Sequence, residues 1–237
     1  WNVPLVFDAH EIYYEQDTLS LLTRMRLKSE EKKYVRCTDL FITVNDAIAD
    51  YYMDLYGKRP LVLMNCADAP PQGFDVNSRE RLRNAAGLPQ ECRIVLYQGW
   101  ISPERNIDAL VEASADFPAD TFLVIIGYGA HEAKLKALAS EYAPEKTRFL
   151  GRVEPSDILE LTAGADVGVI PYQPIDLNHK FCSPNKFFEY VLASVPIVAE
   201  DLVFFRTMKE KYGVVETGKL GTPEGMARAV LSILNDR

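Results

Sequence analysis

A chain of 237 residues with 48% hydrophobic and 25% charged residues has ordinary globular composition and room for one large domain or two small ones. Its formal charge of -8 argues against general nucleic-acid binding, which needs a basic surface, though not against one small basic pocket. Cys37, Cys66, Cys92 and Cys182 are widely spaced with no C-x-x-C pair, so neither a disulfide framework nor a zinc site is indicated, and reduced thiols in a cytosolic protein are expected.

No apolar run approaches transmembrane length and no signal peptide is read, while peripheral membrane contact stays open. The chain opens on Trp1 in a segment that already reads as a buried strand. It stops within an amphipathic helix, 226–235, so a piece cut at both ends is expected.

Residues 5–7 form an apolar run that ends at Asp8, Ala9, His10 and Glu11, the pattern of a parallel strand with polar residues at its carboxyl end. Residues 19–37 are charged and helical. Residues 40–44 predict another buried strand, and Asn45 caps a helix that runs to Tyr56 and ends at Gly57. A strand at 60–64 leads to Asn65. Pro70, Pro71, Gly73, Gly87 and Pro89 then surround a charged helical stretch at 77–86, which predicts a linker or domain junction over 67–91.

From residue 92 the alternation restarts more regularly. Strands are predicted at 93–97, 121–126, 148–150, 167–170 and 196–199. Helices are predicted at 107–115, 130–142, 155–163, 185–192, 204–211 and 224–234. Strands alternating with helices imply an α/β fold with a parallel sheet covered on both faces, doubly wound and Rossmann-like. Ligands of such sheets bind outside the carboxyl ends of the strands.

Several strand ends carry candidate chemistry. Ser183, Pro184 and Asn185 form a polar turn before a short helix with Lys186 and, three residues on, Glu189. A helix N-terminus offers free N–H groups and a positive dipole end to a phosphate. Lys186 adds a point charge, and Glu189 on the same face accepts hydrogen bonds from a diol such as a ribose. The alternative is a surface Lys–Glu pair.

Gly99 ends the first strand of the second half and permits close backbone approach, and Arg105 follows where a diphosphate would be met. A solvated arginine paired with Glu104 or Asp108 is the other reading. Gly127 and Gly129 fit a nucleotide-contacting turn, but any strand-to-helix turn can use glycine. Gly151, Arg152 and Val153 could read a base edge, or form a tight turn with a solvated arginine. Residues 173–182 predict a polar loop in which Asp176, Asn178, His179 and Lys180 are candidates for covering a sugar. His10 fits a polar catalytic role or a surface position. Asp8, His10 and Glu11 do not form a metal site in this reading, because neighbours on an extended strand point to alternate faces.

These pieces, in this order, resemble a retaining glycosyltransferase of the GT-B fold, of the family 4 (glycosyl transferases group 1) type, over nearly the whole chain. The resemblance rests on Asp8-Ala9-His10-Glu11, on the segment from Asp39 to Asn45, on Leu63-Met64-Asn65, and on the glycine-ended strand, the Gly-x-Gly, the Gly-Arg-Val and the glutamate motif that follow. It implies two Rossmann-like doubly wound domains: an incomplete acceptor-side domain at 1–66 and a nucleotide-sugar donor domain at 92–237, joined by 67–91.

It further implies that Arg105 takes the place of a lysine on the diphosphate. Lys186 and the backbone of residues 183–185 form a second phosphate clamp, and Glu189 matches the second glutamate of E-x7-E, the ribose contact. The base would lie near Gly151, Arg152 and Val153. Three positions depart from the pattern: Phe181 replaces the first glutamate, Trp100 stands where a basic residue is usual, and Asn106 where glycine is common.

The implied reaction moves a sugar from a nucleotide-diphosphate sugar to a hydroxyl of a glycan or lipid-linked acceptor, with retention. It uses no cofactor beyond that donor and no metal, and nucleic acid is not a partner. His10 would act on the transferring sugar. A cytoplasmic, membrane-associated role in polysaccharide or lipopolysaccharide synthesis follows from the same resemblance. The competing readings are a nucleotide-sugar epimerase of the same fold, disfavoured by the lack of carboxylates near Phe181 other than Asp176, and a non-catalytic nucleotide-sugar-binding module of a larger protein.

Overall fold

The computed structural model describes residues 3–15, 19–68, 73–74 and 77–236. Trp1 and Asn2 at the chain start, and residues 69–72 and 75–76 of the predicted junction, with Pro70 and Pro71, lie outside that set. The chain forms two compact units. The smaller comprises Trp1–Cys66, Pro174–Ser183 and Leu202–Phe204, and the larger Ala67–Gln173, Pro184–Asp201 and Phe205–Arg237.

The smaller unit runs β1 (Val6–Ala9), α1 (Leu21–Cys37), β2 (Leu40–Thr43), α2 (Asp46–Tyr56) and β3 (Leu61–Val62). Its three strands pair in parallel in the order β1-β2-β3. α2 has the bounds that its sequence signals predict. The Asn45 side chain accepts from Ile48 N at 3.0 Å, and Gly57 closes the helix in the left-handed region at φ 69°. The third strand begins after Pro60, which supplies no N–H to a ladder, and is shorter than the predicted 60–64.

The larger unit begins with α3 (Ser78–Ala86) and β4 (Arg93–Gln98). It continues through α4 (Ile107–Ala113), β5 (Thr121–Ile126), α5 (Glu132–Tyr142), β6 (Thr147–Gly151), α6 (Pro155–Thr162) and β7 (Val167–Ile170). The predicted polar loop holds a one-turn helix, α7 (Leu177–Lys180), which belongs to the smaller unit. Asp176 caps it by accepting from His179 N at 2.7 Å. Then come α8 (Asn185–Leu192), β8 (Ile197–Glu200), α9 (Val203–Tyr212), β9 (Glu216–Gly218) and α10 (Pro223–Asn235).

All six strands of the larger unit are parallel, in the order β6-β5-β4-β7-β8-β9. The order turns back between β4 and β7, so this is a doubly wound sheet with its switch point there, the place where such sheets take ligands. The apolar runs of β4, β5, β7 and β8 are buried because helices cover both faces. The charged helix α3 is fastened next to this sheet through Arg83. The fully buried Arg83 donates to Asp166 Oδ2 at 2.8 Å, to Cys92 O at 2.6 Å and to Gly164 O at 2.8 Å. Among the described residues, no helix is long and apolar enough to cross a membrane.

Candidate functional site

The switch point of the larger sheet gathers most of the residues singled out from the sequence. α8 delivers two of them. Its Tyr190 lies against Gly168 of β7, where an added Cβ would come within 2.8 Å of the ring, and its hydroxyl donates to Leu96 O at 3.1 Å. With Tyr190 and Phe187 anchoring the helix in the core, Lys186 and Glu189 face the carboxyl ends of the strands. The N-cap of α8 is Pro184, with no side-chain capping bond, so the first-turn amides keep the anion-binding character of a helix start.

Lys186 is only 6% exposed. Its ammonium lies 3.9 Å from the centroid of the Tyr97 ring and 4.8 Å from that of Tyr172. Gly99, at φ 120°, leaves the space the lysine needs: a Cβ there would come within 3.1 Å of Nζ. Arg105, in a 3-10 turn at Pro103–Arg105, places its guanidinium 4.1 Å from the same Tyr172 centroid, and its buried Nε makes no hydrogen bond. Asp108, the alternative partner read for Arg105, is held by His131 Nε2 at 2.6 Å and Lys134 Nζ at 3.1 Å. Asn106 sits in the left-handed region at φ 53°, which explains why glycine suits this place, and its amide donates to Leu220 O at 2.9 Å.

Glu189 is oriented from behind. Gln98, almost fully buried at the end of β4, donates from Nε2 to Glu189 Oε2, and its Oε1 accepts from Thr162 Oγ1 at 2.8 Å. One carboxylate oxygen is thereby fixed and the other is left to accept from elsewhere.

Gly127 and Gly129 meet backbone. Cβ atoms at these positions would lie 1.9 Å from Gly99 O and 2.0 Å from Ile101 O. They allow the β4 and β5 loops to pack together, with Gly99 N and Ile101 N donating to Ile126 O and Tyr128 O, both at 2.9 Å. Arg152 is exposed and lies 5.1 Å from the Tyr128 ring centroid; that ring meets Trp100 edge-on at 5.2 Å. Val153 follows, half-buried, and Asn185 is exposed at the start of α8.

Two candidates lie in the smaller unit. The Ser183 hydroxyl faces Asn45 Nδ2 at 3.2 Å, the side chain that also donates to Phe181 O at 2.7 Å. Phe181, the residue in place of the first motif glutamate, packs on that unit's apolar cluster with Tyr51. His10 is exposed beyond β1, with Nε2 2.9 Å from Asp8 Oδ2. The rings of Tyr97 and Tyr172 and the amide of Gln98 escaped the sequence reading of the site. A polar Gln98 ending the apolar run 94–97 is the signal that could have found one of them.

Comparison with known proteins bears on the same region. The family described as glycosyl transferases group 1 matches residues 78–237. The chain is 26% identical over 246 residues to a phosphatidyl-myo-inositol mannosyltransferase of Mycolicibacterium smegmatis, covering 98% of this chain and 56% of that protein. It is 27% identical over 192 residues to a D-inositol 3-phosphate glycosyltransferase of Saccharomonospora viridis, covering 72% of this chain and 44% of that one. The chain thus spans about half the length of these curated relatives. Among solved structures, Anabaena HepE in complex with UDP and glucose superposes with a TM-score of 0.78 at 19% identity, over 98% of this chain and 62% of that one. The chain has a GT-B-type α/β fold and belongs to the glycosyl transferases group 1 family.

Proposed function

We propose that this chain carries the donor site of a glycosyltransferase, which moves a sugar from a nucleotide-diphosphate sugar to a hydroxyl of a glycan or lipid-linked acceptor. The observation that carries this reading is the pair of cations, Arg105 and Lys186, held on aromatic rings at the switch point, beside a carboxylate fixed by Gln98. Arg105, Lys186 and the first-turn amides of α8, Asn185 among them, bind the diphosphate. Glu189 accepts from the ribose hydroxyls. Arg152 and Val153, past the end of β6, border the base, and the backbone of Gly99, Gly127 and Gly129 shapes the approach.

As the glycosidic bond breaks, negative charge grows on the leaving diphosphate. Fixed positive groups aimed at that charge stabilise the transition state by ~3 kcal/mol per donor. The two cations and the helix dipole supply this in a metal-independent reaction. Retention of configuration, and a role for His10 in sugar transfer, follow from the family resemblance. The reaction then takes place in the cytoplasm, at a membrane surface where the acceptor is lipid-linked, and serves surface-glycan synthesis. The relatives that act on phosphatidyl-myo-inositol and D-inositol 3-phosphate suggest an inositol-like polyol among the acceptors to be assayed.

Calorimetric titration of the chain with UDP, GDP, ADP and their sugar conjugates tests the reading. Saturable binding of one nucleotide, lost in Glu189→Ala, is expected. Failure of all three to bind overturns it.

A further inference from the structure

Tyr172 makes no contact with the donor in the proposed function, but its ring lies close to both cations of the proposed diphosphate site. It follows Pro171 at the end of β7, on the opposite side of the switch point from Tyr97, and is 4% exposed. Arg105 lies 4.1 Å and Lys186 4.8 Å from its centroid. Tyr97 completes the enclosure: its ring lies 3.9 Å from the Lys186 ammonium, and its hydroxyl donates to Trp100 O at 2.8 Å, which pins the loop carrying Gly99.

Two like charges drawn against one ring repel each other, so something must hold them in place. An aromatic face attracts each cation by about 0.5–2 kcal/mol and leaves its charge intact. Burial raises the Tyr97 hydroxyl far above its ordinary range, so that ring stays a neutral π surface at any working pH.

We infer that Tyr172 is a positioning residue for the donor diphosphate, and that the aromatic ring it offers to both Arg105 and Lys186 preorganises the two cations. The inference rests on the donor-site reading above. A ring that only filled space would be needed for folding. A ring that sets the cations is needed for phosphate recognition in particular.

The experiment compares Tyr172→Phe and Tyr172→Leu with the unmodified chain. Affinities for UDP, GDP and ADP are measured, and for the matching nucleosides by competition, with circular dichroism melts alongside. Tyr172→Phe should keep diphosphate affinity, and Tyr172→Leu should weaken it about tenfold while nucleoside affinity is unchanged. Equal loss for nucleoside and diphosphate, or no loss in Tyr172→Leu, would overturn the inference. Should Tyr172→Leu fail to fold, a series of progressively fluorinated phenylalanines at this position keeps the shape and drains the π face. Affinity must then fall step by step, and a flat series would overturn the inference. An unmodified chain that binds no diphosphate sinks the donor-site reading itself, an outcome distinct from normal binding in Tyr172→Leu.

Discussion

In the larger unit β7 is buried along its whole length and β4 from its second residue on, whereas in the smaller unit Val6, Leu40 and Leu61 are 54%, 40% and 52% exposed. The two sheets share parallel pairing but differ in their cover. Register puts Val6, Leu40, Ile42 and Leu61 on one face of the smaller sheet, away from Phe7, Ala9 and Phe41, which meet the cluster built on α1 and α2. A sheet covered on both faces holds its strand ends firmly, and a site built on them is preorganised. Lys186, Gly99 and Glu189 are fixed in this way. His10 is exposed in this chain and its partner Asp8 is half-exposed; a pair at the surface contributes little rigidity.

The largest effect expected from this contrast is on catalysis. Lys186→Ala in the larger unit should lose donor affinity and lower transfer by about 10²–10³-fold. His10→Ala in the smaller unit should leave donor affinity unchanged and lower turnover by about a hundredfold. Binding and turnover measured on the same preparations separate the two. Transfer unaffected in His10→Ala removes this histidine from the mechanism, and normal donor binding in Lys186→Ala removes the lysine from the donor site.

The next effect is on stability, and it compares two glycines. At Gly127 an added Cβ would lie 1.9 Å from Gly99 O with φ at 146°, so neither the backbone nor its neighbour can yield cheaply. Gly127→Ala should destabilise the larger unit by about 3 kcal/mol and displace Gly99. Gly57 has φ 69° but nothing within 4 Å, so Gly57→Ala carries only the left-handed backbone cost of about 1 kcal/mol. Thermal melts order the two. A Gly127→Ala chain as stable as Gly57→Ala would show that the β4 and β5 loops are not tightly locked.

These examples mark what the sequence could convey. Asn45 and Gly57 are local signals, and they set α2 to the residue. The larger sheet was legible as strand–helix alternation, Gly99 as a strand-end glycine, and Arg105, Lys186 and Glu189 as charged residues near strand and helix ends. The cation–π enclosure was not legible, because Tyr97 lies in β4 and Tyr172 just past β7, two strands far apart in sequence that only the sheet order makes neighbours. Nor was the backbone duty of Gly127 and Gly129. A glycine spared a clash and a glycine awaiting a ligand look alike in one dimension. The one-turn helix at Leu177–Lys180 was hidden for another reason. Its four residues are too few for any periodicity, and only the Asp176 cap marks it.

The smallest expected effect is a pH dependence of opposite sign in the two units. In the smaller unit Glu31 is buried, and this burial raises its carboxyl above the ordinary range despite hydrogen bonds from Tyr56 at 2.9 Å and Tyr52 at 3.2 Å and the nearby Tyr14 and Lys28. A raised carboxyl binds its proton more tightly folded than unfolded. Its contribution is therefore fully present below the unfolded value and is lost as pH rises through the folded one. In the larger unit the signs reverse. Burial pushes Asp108 up, but His131 and Lys134 outweigh it and hold the carboxyl down; Arg93 lowers Asp120, and the first-turn backbone of α10 lowers Glu224. Those contributions are present above the unfolded values and fade as pH falls through the lowered ones. Raising the pH from about 3 to about 6 should thus weaken the smaller unit and strengthen the larger. Glu31→Gln should flatten the first trend and leave the second untouched. Chemical denaturation across that range, read by hydrogen exchange of α2 against β4, resolves the two. Parallel trends in both units would mean that they unfold as one.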